Sequence, residues 1–260
     1  MSVIKSLIKR TARMVLPRPI LSVLASYRTR TAVRKNVKHY TEDCTTQEIF
    51  TKIYNENTWG QSSDPSQKYH SGPGSHDPTL VNAYVKSLDQ FLRSFDEKPD
   101  VVDLGCGDFF IGSQIRGLCG NYTACDIVEP LIALNREKYK SLNVDFRVLD
   151  LTKDSLPEGD ILFIRQVLQH LSNKQIKKAL PQIAKRYKYF VLTEHLAATD
   201  SFVPNLDLPT GPSARVEINS GIVVTSRPFN LKVREERVLC EVAAPWSDEG
   251  IWRTILYKLH

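Results

Sequence analysis

Residues 101–112, VVDLGCGDFFIG, close an apolar, β-forming run on a glycine turn, with a carboxylate, Asp103, two positions before Gly105. Glycines between a strand and a helix let the backbone approach a ligand closely, and three ligand classes use such a turn. A dinucleotide fingerprint needs G-x-G-x-x-G, but after Gly105 and Gly107 the third glycine position holds Phe110. A phosphate loop needs a lysine where this chain, after the Gly107 to Gly112 frame, has Ser113. Both phosphate readings fail at the residue that carries their chemistry, and Asp103 would repel a pyrophosphate. It suits a ligand that bears an ammonium and a sulfonium beside a nucleoside.

Two further acids extend that reading. Asp126 follows the turn by about 20 residues at the end of a second apolar run, where an acid accepts both hydroxyls of a ribose. Asp150 ends a third run, FRVLD, where a carboxylate can accept from an adenine amino group. One Asp after a strand is commonplace, because Asp starts turns. Three at successive strand ends, around one glycine turn, define a site for S-adenosyl-L-methionine.

Those acids need a scaffold of strands, and the sequence from residue 100 supplies one. DVVDLG, YTACDIV, VDFRVLD, DILFIRQVL and KYFVLTEHL read as strands; FIGSQIRGLCG, PLIALNREKYKSL and SNKQIKKALPQIAKR read as the helices between them. Ser172 is the expected N-cap of the last helix, and Pro181 is expected to kink its middle. This alternation predicts an α/β fold, a parallel sheet with helices on both faces. NLKVREERVLCEV and IWRTILYKL read as two longer strands in an antiparallel hairpin, and 196–228, with Pro204, Pro209, Pro212 and Pro228, as an irregular insert.

Composition sets outer bounds. At 260 residues, 42% hydrophobic and 25% charged, the chain suits one globular domain with additions. No apolar run reaches the length of a membrane-spanning helix. Cys44, Cys106, Cys119, Cys125 and Cys240 show no metal-ligand spacing, and we read them as reduced cytosolic thiols. Residues 1–40 hold ten Lys and Arg and no acid, which leaves 25 basic against 29 acidic residues, a net −4, for residues 41–260. A mildly acidic body argues against a nucleic-acid groove across it. In the arm, Ile4, Leu7, Ile8, Met14 and Val15 fall near helical spacing with Lys5, Lys9, Arg10 and Arg13 between them. Such a basic amphipathic helix can lie on an anionic membrane, dock on its own domain, or serve as an organellar transit peptide. The expected division is 1–40 as this arm, 41–98 as a helical and lid segment, and 99–260 as the main domain; the expected location is cytoplasmic, peripheral at the inner face of a membrane.

With these residues in view, the chain from about residue 50 to 260 resembles the class I S-adenosylmethionine-dependent methyltransferases: VVDLGCG matches their first motif, CDI the second, VLDL the third, and DILFIRQVLQHL the segment after the fourth strand. The resemblance implies a Rossmann-like, seven-stranded mixed sheet ending in an antiparallel hairpin. It implies donor contacts from Asp103, Gly105, Cys106, Gly107, Asp126, Ile127, Asp150 and Leu151. IYNENTWG, SGPGS and the late PNLD…R…RPF are similar to bacterial methyltransferases encoded with glycan-assembly genes, which implies a sugar or other small-molecule acceptor.

A hydroxyl acceptor must lose its proton during transfer, and histidine is the default base near neutral pH. His170, in RQVLQHL after the fourth strand, is the first choice. It resembles the catalytic histidine of small-molecule O-methyltransferases; a structural histidine at a helix end is the alternative. Glu194 and His195 end the fifth strand, where alternation lets only one of them reach the site. Arg165 and Gln166 end the fourth; Arg165 joins the acceptor-side set and Gln166 the donor. The segment TWGQSSDPSQKYHSGPGSHDPT is expected to fold over the donor as a lid. In it Trp59 would stack on adenine or a sugar, and Gly72 would allow close backbone approach. No metal is expected, since no carboxylate or Cys cluster completes a site with His70 and His76. Methylation of another small molecule or of RNA stays open, although IRQV replaces the Asn/Asp-Pro-Pro-aromatic segment of amino-methylating nucleic-acid enzymes. So does a non-catalytic binding protein with the same fold.

Overall fold

A computed structural model describes residues 44–64, 67–243 and 250–260; the basic arm of 1–40 lies outside the described residues. Short apolar segments between glycine, asparagine and proline turns form the strands β1 (Val101–Leu104), β2 (Tyr122–Asp126), β3 (Asp145–Val148), β4 (Ile161–Arg165), β5 (Tyr189–Ala197), β6 (Glu235–Ala243) and β7 (Gly250–Lys258). They make a single seven-stranded sheet in the order β3-β2-β1-β4-β5-β7-β6. The first five strands pair in parallel, and β7 runs antiparallel between β5 and β6. The order reverses between β1 and β4, and the crevice above such a reversal is where open α/β sheets bind ligands.

Both faces are covered, as buried parallel strands require. Val102, Leu104, Leu162, Ile164 and Leu192 pack against Ile49, Phe50 and Ile53 of α1 (Thr46–Asn55) and against Ile176, Leu180 and Ile183 of α5 (Asn173–Arg186). On the other face, Val101, Tyr122, Phe163 and Val191 meet Tyr84, Leu88 and Phe91 of α2 (Pro78–Leu92). The remaining helices, α3 (Phe110–Ile115) and α4 (Glu129–Lys138), follow β1 and β2.

Local chemistry fixes the helix starts. Thr45 and Glu48 form a capping box on α1, Ser172 and Gln175 form one on α5, and Asp77 caps α2 ahead of Pro78. Several expected boundaries move. The expected helix over 110–120 stops at Ile115, where a single 3-10 turn follows and Arg116 turns its guanidinium onto the carbonyls of Cys119 and Gly120. Strand β4 ends at Arg165 instead of running to Leu168, because Gln166 takes a left-handed φ of +58° and Leu168–His170 form a 3-10 turn. Pro181 sits inside α5, which continues to Arg186. β6 begins at Glu235, since Leu231 is drawn back by a hydrogen bond to Val224 O. The insert between β5 and β6 contains one 3-10 turn, Arg215–Ile218.

Candidate active site

The carboxyl ends of β1, β2 and β4 open into a cavity of about 360 Å³ that Asp103, Asp126 and Asp150 all line. In the glycine turn, Gly105 and Gly107 have φ of +79° and +55°, and a Cβ on either would overlap Val167 or Ser71. Only glycine meets both conditions.

The three acids differ in surroundings. Asp103 accepts a 3.0 Å hydrogen bond from Tyr122 Oη. Burial raises its pKa to about 7, against the Tyr122 bond that lowers it, with the Asp126 charge adding to the rise. Asp126 accepts from Val128 N and Gly107 N, both at 3.0 Å, yet burial still lifts it to about 6. Asp150 Oδ1 is taken by the Thr152 amide and hydroxyl at 2.8 and 2.6 Å. Its buried Oδ2 accepts no hydrogen bond, although the exposed Lys153 ammonium stands 3.4 Å away. A buried acceptor without a donor in a ligand cavity is what a nucleoside amino group would satisfy. Cys106, Ile127, Leu151, Gln166 and Gly72 also line the cavity.

His170 lies where the sequence places it, in the 3-10 turn after β4. Its Nδ1 is 3.3 Å from Ser213 O, which can only accept, so Nδ1 carries the proton and Nε2 is the acceptor, 3.3 Å from Gln169 Nε2. Burial lowers its pKa to about 4, keeping the ring neutral. Trp59 packs against it at 4.9 Å and donates through Nε1 to Pro212 O at 3.1 Å. Trp59 lines the cavity on the His170 side, with Tyr54 against its edge.

β5 alternation separates its two candidates. His195 lines the cavity, stacked on Trp252 at 4.6 Å with its buried Nε2 unpartnered. Glu194 points to the opposite face and is no catalytic residue by position. It accepts from Leu168 N at 3.1 Å beneath the His170 turn, and burial raises its pKa to about 8. From the insert, fully buried Arg215 donates to the carbonyls of Leu168, Gln169 and Leu171 at 2.7–3.0 Å. An arginine inside a proline-rich stretch reads as surface, so nothing local marked it.

The segment from Trp59 to Asp77 docks on the glycine turn through Asp108, which the motif reading passed over. Its Oδ2 accepts from His76 Nε2 at 2.7 Å, Gln67 Nε2 at 3.0 Å and Ser71 N at 3.1 Å. Burial opposes ionisation of Asp108, but the His76 bond and the backbone donors hold its carboxyl below the usual range. His70 stacks on His76 at 4.3 Å, and ligand atoms of His70, His76 and Asp108 lie within 4.8 Å of one another. The carboxylate that sequence spacing did not provide for this histidine pair thus comes from the glycine turn, in a hydrogen-bonded clasp.

Residues 101–188 match the family described as a methyltransferase domain. That stretch runs from β1 past the end of α5. No curated protein matches the chain in sequence. Among solved structures, the N-methyltransferase NodS from Bradyrhizobium japonicum, in complex with S-adenosyl-L-homocysteine, is similar at TM-score 0.57 and 13% identity over 83% of this chain and 100% of NodS. Magnesium protoporphyrin IX methyltransferase ChlM from Synechocystis, with bound S-adenosylmethionine, gives 0.51 and 13% over 83% and 99%. TehB from Haemophilus influenzae gives 0.51 and 15% over 72% and 65%. At these identities the likeness establishes the fold alone, the class I methyltransferase fold with β7 antiparallel between β5 and β6.

Proposed function

We propose that this methyltransferase domain binds S-adenosyl-L-methionine and transfers its methyl group to a hydroxyl of a sugar or glycan precursor, with His170 as general base. The observation that carries the donor assignment is the meeting of Asp103, Asp126 and Asp150 in one cavity around a glycine turn that admits no side chain. Asp150 Oδ2, ion-paired with exposed Lys153 but accepting no hydrogen bond, suits the adenine amino group, and Asp126 keeps lone pairs for the ribose.

The donor supplies an electrophilic methyl on a positive sulfur. The chain's own residues must exclude water, align the acceptor oxygen and take its proton. The Trp59 segment covers the cavity from one side and the insert, through Pro212 and Ala214, from another. His170, neutral and anchored at Nδ1, would take the acceptor hydroxyl's proton on Nε2 once that hydroxyl displaces the Gln169 amide, 3.3 Å away.

The basic arm of 1–40 would hold the protein against an anionic membrane where lipid-linked glycans are assembled; among the described residues no helix is long and apolar enough to cross one. Incubation with methyl-labelled S-adenosylmethionine and a panel of sugars tests the reaction. Label should pass to an acceptor, and His170→Ala should lower kcat by roughly 100-fold while S-adenosylhomocysteine still binds. Full turnover in that variant at neutral pH would remove the base assignment.

A further inference from the structure

His70, His76 and Asp108 form a cluster that neither the donor nor the acceptor chemistry above employs. His70 and His76 stack at 4.3 Å, and Phe110 stacks on His76 at 4.8 Å. Asp108 is buried beside them, its Oδ2 2.7 Å from His76 Nε2. One ligand atom from each residue lies within 4.8 Å of the other two, and among the described residues no other trio of His, Cys, Asp or Glu does so. Neither histidine lines the large cavity.

The hydrogen bond between His76 and Asp108 accounts for only two of the three. His70 Nδ1 is buried and has no hydrogen-bond partner, whereas buried polar atoms are normally paired. Two imidazoles and a carboxylate are the donor set of borderline divalent ions such as Zn²⁺; Mg²⁺ and Ca²⁺ prefer oxygen alone. The carboxylate is also held from outside the trio, as metal ligands usually are. Gln67 Nε2 and Ser71 N donate to its Oδ2, and Phe110 N donates to its Oδ1 at 3.3 Å. Both histidines are partly exposed, which gives an ion a path from solvent.

We propose that His70, His76 and Asp108 bind a divalent transition-metal ion of the Zn²⁺ class, and that the ion pins the covering segment onto the glycine turn. The two histidines belong to the segment and Asp108 follows Gly107, so the ion joins parts of the chain that otherwise meet through hydrogen bonds. On binding, the proton on His76 Nε2 moves to Nδ1 through solvent, which frees the Nε2 lone pair for the ion. Ligands about 2 Å from an ion stand roughly 3.3 Å apart in a tetrahedral site. The 4.8 Å span therefore contracts as the partly exposed His70 ring turns inward.

Titration of the metal-free full chain with Co²⁺ alone, followed by displacement with Zn²⁺, tests it. One Co²⁺ per chain should bind with a visible d–d absorption, Zn²⁺ should bleach that absorption, and Zn²⁺ should raise Tm. His70→Ala leaves the His76–Asp108 bond in place, yet it should weaken Co²⁺ binding by about tenfold or more and remove the Tm rise. His70→Cys, which restores a ligand, should recover part of the affinity. Cys44→Ser, which removes the exposed thiol, should bind as the wild type does. No saturable binding of Co²⁺ or Zn²⁺ by the wild type up to millimolar concentration overturns the site, and needs no variant to fold. So does wild-type affinity in His70→Ala, or loss of the Co²⁺ spectrum in Cys44→Ser, which would put the ion elsewhere. Each readout is independent of S-adenosylhomocysteine binding, so the metal site and the donor site stand or fall separately.

Discussion

Asp103 must be ionised to hold an ammonium, and burial has raised its pKa to about 7. In the free protein the proton comes off near neutrality, so donor affinity should rise as pH increases through about 7 and fall below it. Asp103→Asn should bind weakly at every pH, with that dependence lost; titrations of S-adenosylhomocysteine at pH 6 and 8 check this. An affinity independent of pH in the wild type would contradict the role. The strand-end acids were legible in the sequence because each follows a short apolar run, and the glycine turn between Asp103 and Asp126 carries its own signature. Asp108 and Arg215 were not. Their partners lie 32 to 47 residues away in the chain, His76 for one and the carbonyl of Leu168 for the other, and no local spacing encodes such pairings. Glu194 was read with His195 as an equal candidate, and only the side of the sheet it occupies separates them.

Two elements frame the turn that carries His170. The 3-10 turn Leu168–His170 is fixed from below by Glu194 and from the insert by Arg215. Arg215→Met should leave several buried carbonyls without donors and destabilise the fold by on the order of 3 kcal/mol or more, read by urea unfolding. Glu194 behaves oppositely with pH. Its folded pKa of about 8 stands above the 4.5 of an ordinary glutamate. The unfolded chain therefore releases this proton first, and stability is lost as pH rises from about 4.5 toward 8. Glu194→Gln keeps an acceptor for Leu168 N and removes the ionisation, so its Tm should exceed that of the wild type at pH 8 and converge with it near pH 5. Convergence at no pH would reject that account. The start of α5 was readable from Ser172, and the Thr45 and Asp77 caps, which the sequence reading passed over, act on the next few residues in the same way. Helix and strand ends were less so: the stop at Arg165 depends on the backbone of Gln166, and the stop at Ile115 on Arg116 reaching carbonyls beyond its own turn.

At the scale of the whole molecule, the alternating apolar runs dictated the parallel core, and two long runs after residue 229 dictated the antiparallel edge. The same sheet reversal that places β1 beside β4 brings Asp103 toward Arg165 and collects the three acids, whose positions in the chain span 103 to 150. Charge divides the chain differently: the excess of base is confined to residues 1–40. Removing that segment should abolish sedimentation with anionic vesicles and leave donor binding intact, while retention on vesicles would place the contact elsewhere. Binding of RNA instead of vesicles by the full chain would favour a nucleic-acid acceptor.

The account rests on one nucleoside site bounded by three carboxylates, and calorimetric titration of the full chain with S-adenosylhomocysteine tests it most directly. It predicts saturable one-to-one binding, weakened roughly ten- to hundredfold by Asp126→Ala, whose carboxylate would accept from the ribose. No saturable binding by the wild type, or wild-type affinity in that variant, would contradict it.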